Sequence, residues 1–256
     1  MEFVATYHTD VGLTKKTNQD SLALKIVEIG NEKVAFGVVC DGMGGLSKGE
    51  LASKEVIYAF CDWFDNVLLS DIENNKFNES RLVLQWNDVI QTQNRRLAEY
   101  GKMHNITLGT TISALLLFRD MYYIVHVGDS RIYLMNNKVT MLTHDHSYVA
   151  REIAAGRMTE EQAKIDARRS VLLQCIGASP VVEPEFSKGK FEKNSVFALC
   201  SDGFRHQISD YEMLSKIGPA EVSNEETMKV GCIYLTELVK QRKETDNISV
   251  ALIKTM

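Results

Sequence analysis

Four apolar runs follow one another within residues 110–142, which read TTISALLLFRDMYYIVHVGDSRIYLMNNKVTML. Short runs of apolar, aromatic and β-branched residues between turn residues are typical of β-strands. We therefore predict strands over residues 110–118, 121–127, 131–135 and 138–142. Asn136 and Asn137 separate the last two runs and predict a hairpin turn, because both residues tolerate a positive φ. The segment predicts an antiparallel meander.

Further strands and helices surround this meander. Similar runs predict strands over residues 21–28, 33–40, 196–200 and 248–253. Apolar residues spaced three to four apart predict helices over residues 46–69, 81–103, 147–155, 159–167, 210–217 and 223–240. Strands and helices are segregated along the chain, which favours the α+β class, with antiparallel sheets covered by helices. Since the last strand must pair with much earlier ones, we expect one domain over residues 1–256.

The composition limits the functional classes. The chain has 256 residues, of which 45% are hydrophobic and 25% are charged, as in a typical globular protein. Its formal net charge of -5 argues against a general nucleic-acid-binding surface. No run reaches the ~18 apolar residues of a membrane span, and the start, MEFVATYHTD, lacks the pattern of a signal peptide. We expect a cytoplasmic protein that binds neither nucleic acid nor membranes.

Aspartates stand beside the ends of the predicted strands. Each lies within two residues of a strand end, and the five are Asp20, Asp41, Asp129, Asp202 and Asp246. Any one alone is explained by turn chemistry, because an Asp side chain hydrogen-bonds nearby backbone groups. If neighbouring strands end on the same side, however, the carboxylates converge, and two unit charges ~4 Å apart repel by about 4 kcal/mol at an effective dielectric of 20. Such a cluster indicates bound cations.

The ligand type narrows the choice of cation. Oxygen ligands without His or Cys favour Mg²⁺ or Mn²⁺ over zinc. Gly42, the residue after Asp41, would let a backbone carbonyl approach such an ion. Two such ions ~3.5–4 Å apart share a water, lower its pKa and hold the attacking and leaving oxygens of an in-line displacement at phosphorus. The residues therefore predict hydrolysis of a phosphate ester.

Nine short polar or glycine-rich blocks also occur along the chain. They are TDVG (9–12), NQDS (18–21), DGMGG (41–45), GELAS (49–53), GTT (109–111), GDSR (128–131), DHS (145–147), SDG (201–203) and DNIS (246–249). Their order is that of the metal-dependent protein phosphatase 2C family, and the chain resembles the compact bacterial members from about residue 3 to residue 254. Each block alone is a weak signal, whereas nine in order with compatible spacing are a strong one.

The resemblance implies a four-layer αββα sandwich, in which two antiparallel sheets are flanked by helices and a metal centre lies in a cleft at one end. The residues at that centre would be Asp20, Asp41, Gly42, Asp129, Asp202 and Asp246. Asp41 would bridge two ions and, with Asp202 and Asp246, form the catalytic set. Gly42 would contribute its carbonyl, Asp20 would act through bound water, and Asp129 with Asp202 would hold a looser third ion. Residues 147–170 would form a flap beside the cleft.

One departure from the family concerns the substrate phosphate. Members usually carry Arg three residues after the glycine of the first block, whereas this chain has Lys15. Lysine keeps the charge but loses the bidentate geometry of a guanidinium. Lys15 is the expected phosphate-binding residue, and Lys16 is the alternative.

The remaining basic residues are not expected to be ligands. His126 lies within a predicted strand and is expected in the core, and His146 is expected at the base of the flap. Arg205 and His206 follow Asp202 and are expected on the surface.

The resemblance implies a Mn²⁺- or Mg²⁺-dependent protein serine/threonine phosphatase with two ions, or three if the looser site is filled. Its partners would be phosphorylated proteins, on which it would oppose Ser/Thr protein kinases, and it would be a monomer. Two alternatives stay open: a non-catalytic metal-binding or regulatory module on the same fold, and a phosphatase specialised for a regulatory partner.

Overall fold

The computed structural model describes residues 1–44 and 48–256. Its strands are β1 (Phe3–Asp10), β2 (Ser21–Ile29), β3 (Glu32–Cys40), β4 (Gly42–Gly44), β5 (Leu108–Thr110), β6 (Ile112–Phe118), β7 (Met121–Val127), β8 (Arg131–Met135), β9 (Val139–Met141), β10 (Glu185–Lys190), β11 (Val196–Cys200) and β12 (Ile248–Thr255). Its helices are α1 (Gly49–Trp63), α2 (Leu69–Glu73), α3 (Glu79–His104), α4 (Tyr148–Ala154), α5 (Glu160–Ile165), α6 (Asp202–Arg205), α7 (Asp210–Ile217) and α8 (Glu225–Gln241). A π-helical turn, Phe64–Leu68, joins α1 to α2. In this described part, no helix combines the length and apolar character needed to cross a membrane.

Ten of these strands form two antiparallel sheets, in the orders β1-β12-β11-β8-β9 and β10-β7-β6-β3-β2, and β4 pairs with β5. The α+β class is confirmed. The predicted meander is interrupted, because β6 and β7 lie in one sheet while β8 and β9 lie in the other. Gly128 separates the two halves with a φ of +110°, and a Cβ there would lie 2.5 Å from Cγ2 of Thr111. Glycine at this position lets the chain change sheets.

Residues that alternate along the strands build three apolar layers. In β12, Val250 and Leu252 pack in the layer beneath α7 and α8, while Ala251 and Ile253 pack in the layer between the sheets. Strand β3 alternates in the same way between the inter-sheet layer and the layer beneath α1 and α3. This period of two follows from the pleat of a strand. Three apolar layers separate four layers of structure, so the αββα architecture is confirmed.

The first and last residues of several strands and helices differ from those predicted from the sequence. Strands β1 and β10 were not predicted, and the strand predicted over residues 110–118 divides into β5 and β6. The first predicted helix begins at residue 46, whereas α1 begins at Gly49; residues 45–47 lie outside the described part of the chain.

The hairpin predicted at Asn136 and Asn137 forms. Strands β8 and β9 pair, and the residues between them are 136–138. Neither asparagine has a positive φ. Positive φ at two central residues is a demand of the two-residue type I′ loop, and this connection is one residue longer.

We expect Phe60→Ala to lower the free energy of unfolding by about 3–5 kcal/mol, because the ring is fully buried against Trp63 and Trp86. Tyr58→Ala on the same helix is the control. Its ring is 66% exposed, so the loss should stay within about 0.5 kcal/mol. Urea unfolding followed by circular dichroism measures both, and equal losses would contradict the assignment of the α1 core face.

Candidate metal centre

Strand register places two of the predicted ligands side by side. Ser21 of β2 pairs with Cys40 of β3, so Asp20 and Asp41 occupy the next positions beyond the same end of the sheet. Thr111, at the start of β6, holds Asp41 there. Its N–H donates to the Asp41 carbonyl at 2.9 Å, and the Asp41 N–H donates to its Oγ1 at 2.9 Å.

The other sheet contributes two more carboxylates at the corresponding end. Cys200 of β11 pairs with Val250 of β12, and Asp202 follows β11 while Asp246 precedes β12. Asp129 follows β7 by two residues, and its carboxyl group is close enough to Asp202 for that charge to raise its pKa. The structure therefore brings all five predicted aspartates together.

Asn247 ties the surrounding loops to this end of the sheets. Its side-chain oxygen accepts the N–H of Gln19 at 2.9 Å, and its Nδ2 donates to the carbonyls of Val11 and Thr17 at 2.9 and 3.2 Å. Its own N–H donates to Oδ1 of Asp246 at 2.8 Å. Asn247 is 3% exposed. One buried amide thus fixes the entry to β2 and the orientation of the Asp246 carboxylate.

Burial and the charges of neighbouring carboxylates raise the pKa of three of these carboxyl groups, those of Asp41, Asp20 and Asp129. Burial raises the pKa of Asp41 well above its usual range, and the charges that raise it further belong to Asp20, Asp202, Asp129 and Asp246. Burial, with the charges of Asp202 and Asp246, raises the pKa of Asp20 to about 7. Burial and the charge of Asp202 likewise raise the pKa of Asp129 to about 7. A bound cation would reverse this penalty.

The residues present fit a divalent ion. Oδ1 of Asp20 and Oδ1 of Asp202 are buried without a hydrogen-bond partner, which is costly for a polar atom unless another ligand satisfies it. A Cβ on Gly42 would lie 2.2 Å from the Gly49 carbonyl oxygen, so only glycine fits beside Asp41. In the described part of the chain, no three His, Cys, Asp or Glu side chains form a group able to hold an ion by themselves. Mg²⁺ is commonly bound through one or two carboxylates and keeps several waters.

Lys15 reaches into the carboxylate cluster. Its Nζ lies 2.8 Å from Oδ1 of Asp246. Burial lowers the pKa of Lys15, but the contact with Asp246 and the charges of Asp41 and Asp202 outweigh that effect and raise it. Among the described ion pairs, none involves Lys16. Of the two candidates for phosphate binding, Lys15 is the one that faces the centre.

The expectation that Arg205 lies on the surface is wrong. Its side chain is 10% exposed, and its Nη2 donates to the Asp129 carbonyl at 3.1 Å and to Oδ2 of Asp145 at 3.2 Å. Asp145 also accepts two 2.8 Å hydrogen bonds from Arg131. Because α6 turns the chain directly after β11, Arg205 points back beneath the centre, where two carboxylates pair with its buried charge.

His206 lies at the edge of the same centre and its side chain is 29% exposed. It stands between Asp202 and the buried Glu244. The spacing of Asp202 and His206 is a signal that was available in the sequence, because residues four apart lie on one face of a helical turn. Glu244 precedes the last block by two residues, and no pattern in the sequence singles it out.

His126 and His146 lie side by side just before the segment that contains α4 and α5. His126 is fully buried as expected, and burial lowers its pKa to about 4. Nδ1 of His146 accepts the Gly128 N–H at 3.2 Å and a hydrogen bond from Gln174 at 2.9 Å. The His146 carbonyl accepts the Leu173 N–H at 2.7 Å, which closes the segment containing α4 and α5.

Comparison with known proteins agrees with this architecture. A sequence model described as protein phosphatase 2C matches residues 7–232. A putative protein phosphatase 2C-type from Streptococcus pyogenes serotype M6 is 30% identical over 249 residues, 96% of this chain and 94% of that protein. The serine/threonine phosphatase stp of Listeria innocua is 29% identical over 254 residues, 98% of this chain and 95% of that protein.

Solved structures give the same result. The Streptococcus agalactiae serine/threonine phosphatase has a TM-score of 0.82 and 29% identity, with 100% of each chain covered. The Mycobacterium tuberculosis phosphatase PstP/Ppp has a TM-score of 0.80 and 26% identity, covering 99% of this chain and 98% of that one. The PstP catalytic domain in complex with two manganese ions has a TM-score of 0.78 and 25% identity, with 100% of each chain covered. The chain belongs to the protein phosphatase 2C family and is a protein phosphatase.

Proposed function

We propose that the chain hydrolyses phosphoserine and phosphothreonine in proteins at a centre of two Mn²⁺ or Mg²⁺ ions, and so opposes Ser/Thr protein kinases. The observation that carries the proposal is the convergence of five carboxylates at one end of the sheets, where Oδ1 of Asp20 and Oδ1 of Asp202 have no protein partner. The Listeria relative is named a serine/threonine phosphatase, and the solved PstP complex contains two manganese ions. Both support this assignment.

Each residue of the centre has a proposed role. Asp41, the Gly42 carbonyl, Asp202 and Asp246 would hold the two ions. Asp20 would act through water, and Asp129 with Asp202 would hold a looser third ion. Two divalent ions, when bound, supply an activated water and neutralise charge on the phosphoryl oxygens.

Lys15 orients the substrate phosphate. Its ammonium already lies among the carboxylates, 2.8 Å from Asp246. An ammonium carries three rotatable donors on a flexible stem, so Lys15 can keep a contact with Asp246 while it donates to a phosphate oxygen. As a point charge it binds without the two parallel hydrogen bonds that a guanidinium offers.

The proposal includes residues 1–256 as one catalytic domain with a flap over residues 147–170. The pairing of β1 with β12, which joins the two ends of the chain in one sheet, supports the single domain. The cytoplasmic location, the monomeric state and the lack of nucleic-acid and membrane partners stay predictions from the sequence.

Asp202→Ala is expected to reduce Mn²⁺-dependent hydrolysis of p-nitrophenyl phosphate by roughly 100-fold or more. A catalytic ion stabilises charge by several kcal/mol, and each ~1.4 kcal/mol is tenfold in rate. Asp120→Ala is the control, because Asp120 lies in the turn between β6 and β7, at the end of those strands away from the centre. Retained activity in Asp202→Ala would refute the two-ion mechanism. Wild-type protein that binds Mn²⁺ without turnover would favour a non-catalytic module.

Lys15→Ala is expected to raise the KM for a phosphothreonine peptide about tenfold, because a hydrogen bond to a charged group contributes about 1.5–3 kcal/mol. We expect a smaller change in kcat, since the contact holds the phosphate in the bound substrate as well. Lys15→Arg should keep the KM low, and Lys16→Ala should leave it unchanged. A raised KM in Lys16→Ala alone would transfer the role to that residue.

Stability without divalent ions is expected to fall as the pH rises from 6.5 to 8. The folded-state pKa values of Asp20 and Asp129 are about 7, above the unfolded value of ~3.9. Between these two pKa values the folded state binds more protons than the unfolded state, so the free energy of unfolding falls as the pH rises and the two carboxyl groups lose their protons. Burial lowers the pKa of His126 and His146, so below pH ~6.5 the unfolded state binds more protons at these two residues than the folded state does. The histidines therefore make stability rise with pH in that range, and for this reason the comparison starts at pH 6.5.

Thermal unfolding in EDTA and in Mn²⁺ measures this effect. Mn²⁺ at 100 times its Kd should add about 2.7 kcal/mol, and the increase in Tm should be larger at pH 8 than at pH 6.5. Asp20→Asn, which removes one ionising group, should flatten the pH dependence in EDTA. A Tm in EDTA that rises between pH 6.5 and pH 8 would contradict the prediction.

A further inference from the structure

His206 stands one helical turn after Asp202 and faces the carboxylate cluster. Its Nε2 lies 3.7 Å from Oδ2 of Asp202, and its Nδ1 lies 3.6 Å from Oε2 of Glu244. The two ring nitrogens therefore point at two different carboxylates. Neither distance is that of a hydrogen bond, so His206 is positioned between these groups without being bonded to either.

Glu244 is fixed as a partner for one face of the imidazole. It is 7% exposed, and its Oε1 accepts the N–H groups of Thr245 and Asp246 at 2.8 and 3.1 Å. Burial raises the pKa of Glu244, but its contact with His206 and these backbone donors outweigh that effect and lower it. Its other oxygen, Oε2, faces Nδ1 of His206. Metal-binding histidines are oriented by a carboxylate that accepts a hydrogen bond from one ring nitrogen and leaves the other free. At 3.6 Å from Nδ1, Oε2 of Glu244 is placed to accept that bond after a small movement of the ring.

The other ring nitrogen of His206 faces Oδ2 of Asp202. Asp202 is 9% exposed, and its Oδ1 is buried without a hydrogen-bond partner. Two atoms that are each about 2.1 Å from one ion are at most ~4.2 Å apart, and the 3.7 Å between Nε2 and Oδ2 lies within that limit. Burial and the charge of Asp202 raise the pKa of Asp129, and the charge of His206 lowers it. The three side chains are therefore near one another.

We propose that Nε2 of His206 is a direct ligand, beside Asp202, of a divalent transition-metal ion at the Asp129 side of the centre, with Glu244 as the residue that positions the ring. The inference rests on the proposed metal centre and deepens it. A nitrogen ligand makes this position selective, because imidazole suits first-row transition ions whereas Mg²⁺ prefers oxygen. The other positions of the centre, which have oxygen ligands only, bind either ion.

The test is pulsed electron paramagnetic resonance on the full chain titrated with Mn²⁺. We expect electron spin echo modulation from a directly bound ¹⁴N nucleus in the wild-type protein once the last equivalent of Mn²⁺ is bound. The modulation should disappear in His206→Gln and persist in His144→Gln, whose side chain is 83% exposed and pairs with Glu185. Modulation that is absent from the wild-type protein, or that persists in His206→Gln, would overturn the proposal.

Calorimetric titration adds an independent measurement. The weakest Mn²⁺ site should lose about 10- to 100-fold in affinity in Glu244→Gln, which is the range for loss of an orienting partner, while Mg²⁺ binding changes less. Equal losses for both ions in Glu244→Gln would count against a nitrogen ligand. Neither measurement depends on turnover. Nitrogen coupling without hydrolysis would support the His206 ligand and reject the phosphatase mechanism. Hydrolysis without nitrogen coupling would support the phosphatase mechanism and reject the His206 ligand.

Discussion

The mutual repulsion of five clustered carboxylates, of which Asp20, Asp129 and Asp202 are buried, is the constraint on which the rest of the structure depends. Two unit charges ~4 Å apart cost about 4 kcal/mol at an effective dielectric of 20, and the raised pKa of Asp41 reflects burial together with the charges of the other four. The groups cannot move apart, because the register of β2 with β3 and of β11 with β12 fixes where each strand ends. Three apolar layers hold that register against the repulsion.

The same layers explain which elements could be predicted from the sequence. Helix α7 has the predicted limits, since Ser209 and Glu212 form a capping box at its start and its buried residues recur at helical spacing. Strands β1 and β10, which lie at sheet edges, were missed because neither contains a continuous apolar run. The sequence of β1, FVATYHTD, mixes apolar and polar residues on a half-exposed surface, and β10, EFSKGK, contains Gly and two Lys. Edge strands carry such residues to limit further pairing.

The residues of the site likewise fall into those that could be predicted from the sequence and those that could not. The aspartates were predictable because each is tied to the end of a strand, so the sheet itself determines where it lies. Arg205 and His206 depend instead on the four-residue helix α6, which is too short to give a periodic pattern beyond the spacing of Asp202 and His206. Glu244 depends on a loop held by its own hydrogen bonds to Thr245 and Asp246, a contact between neighbours that leaves no pattern in the sequence.

The basic side chains around the cluster are unevenly distributed. Each approaches a different carboxylate: Lys15 at Asp246, Arg205 at Asp129 and His206 at Asp202. Within residues 1–44 and 48–256, no Lys, Arg or His forms an ion pair with Asp20 or Asp41, although both have raised pKa values. The negative charge left for bound cations to neutralise is therefore concentrated where β2 begins and β3 ends. The charges of the other four aspartates all raise the pKa of Asp41, so a cation held there would relieve its repulsion with each of them.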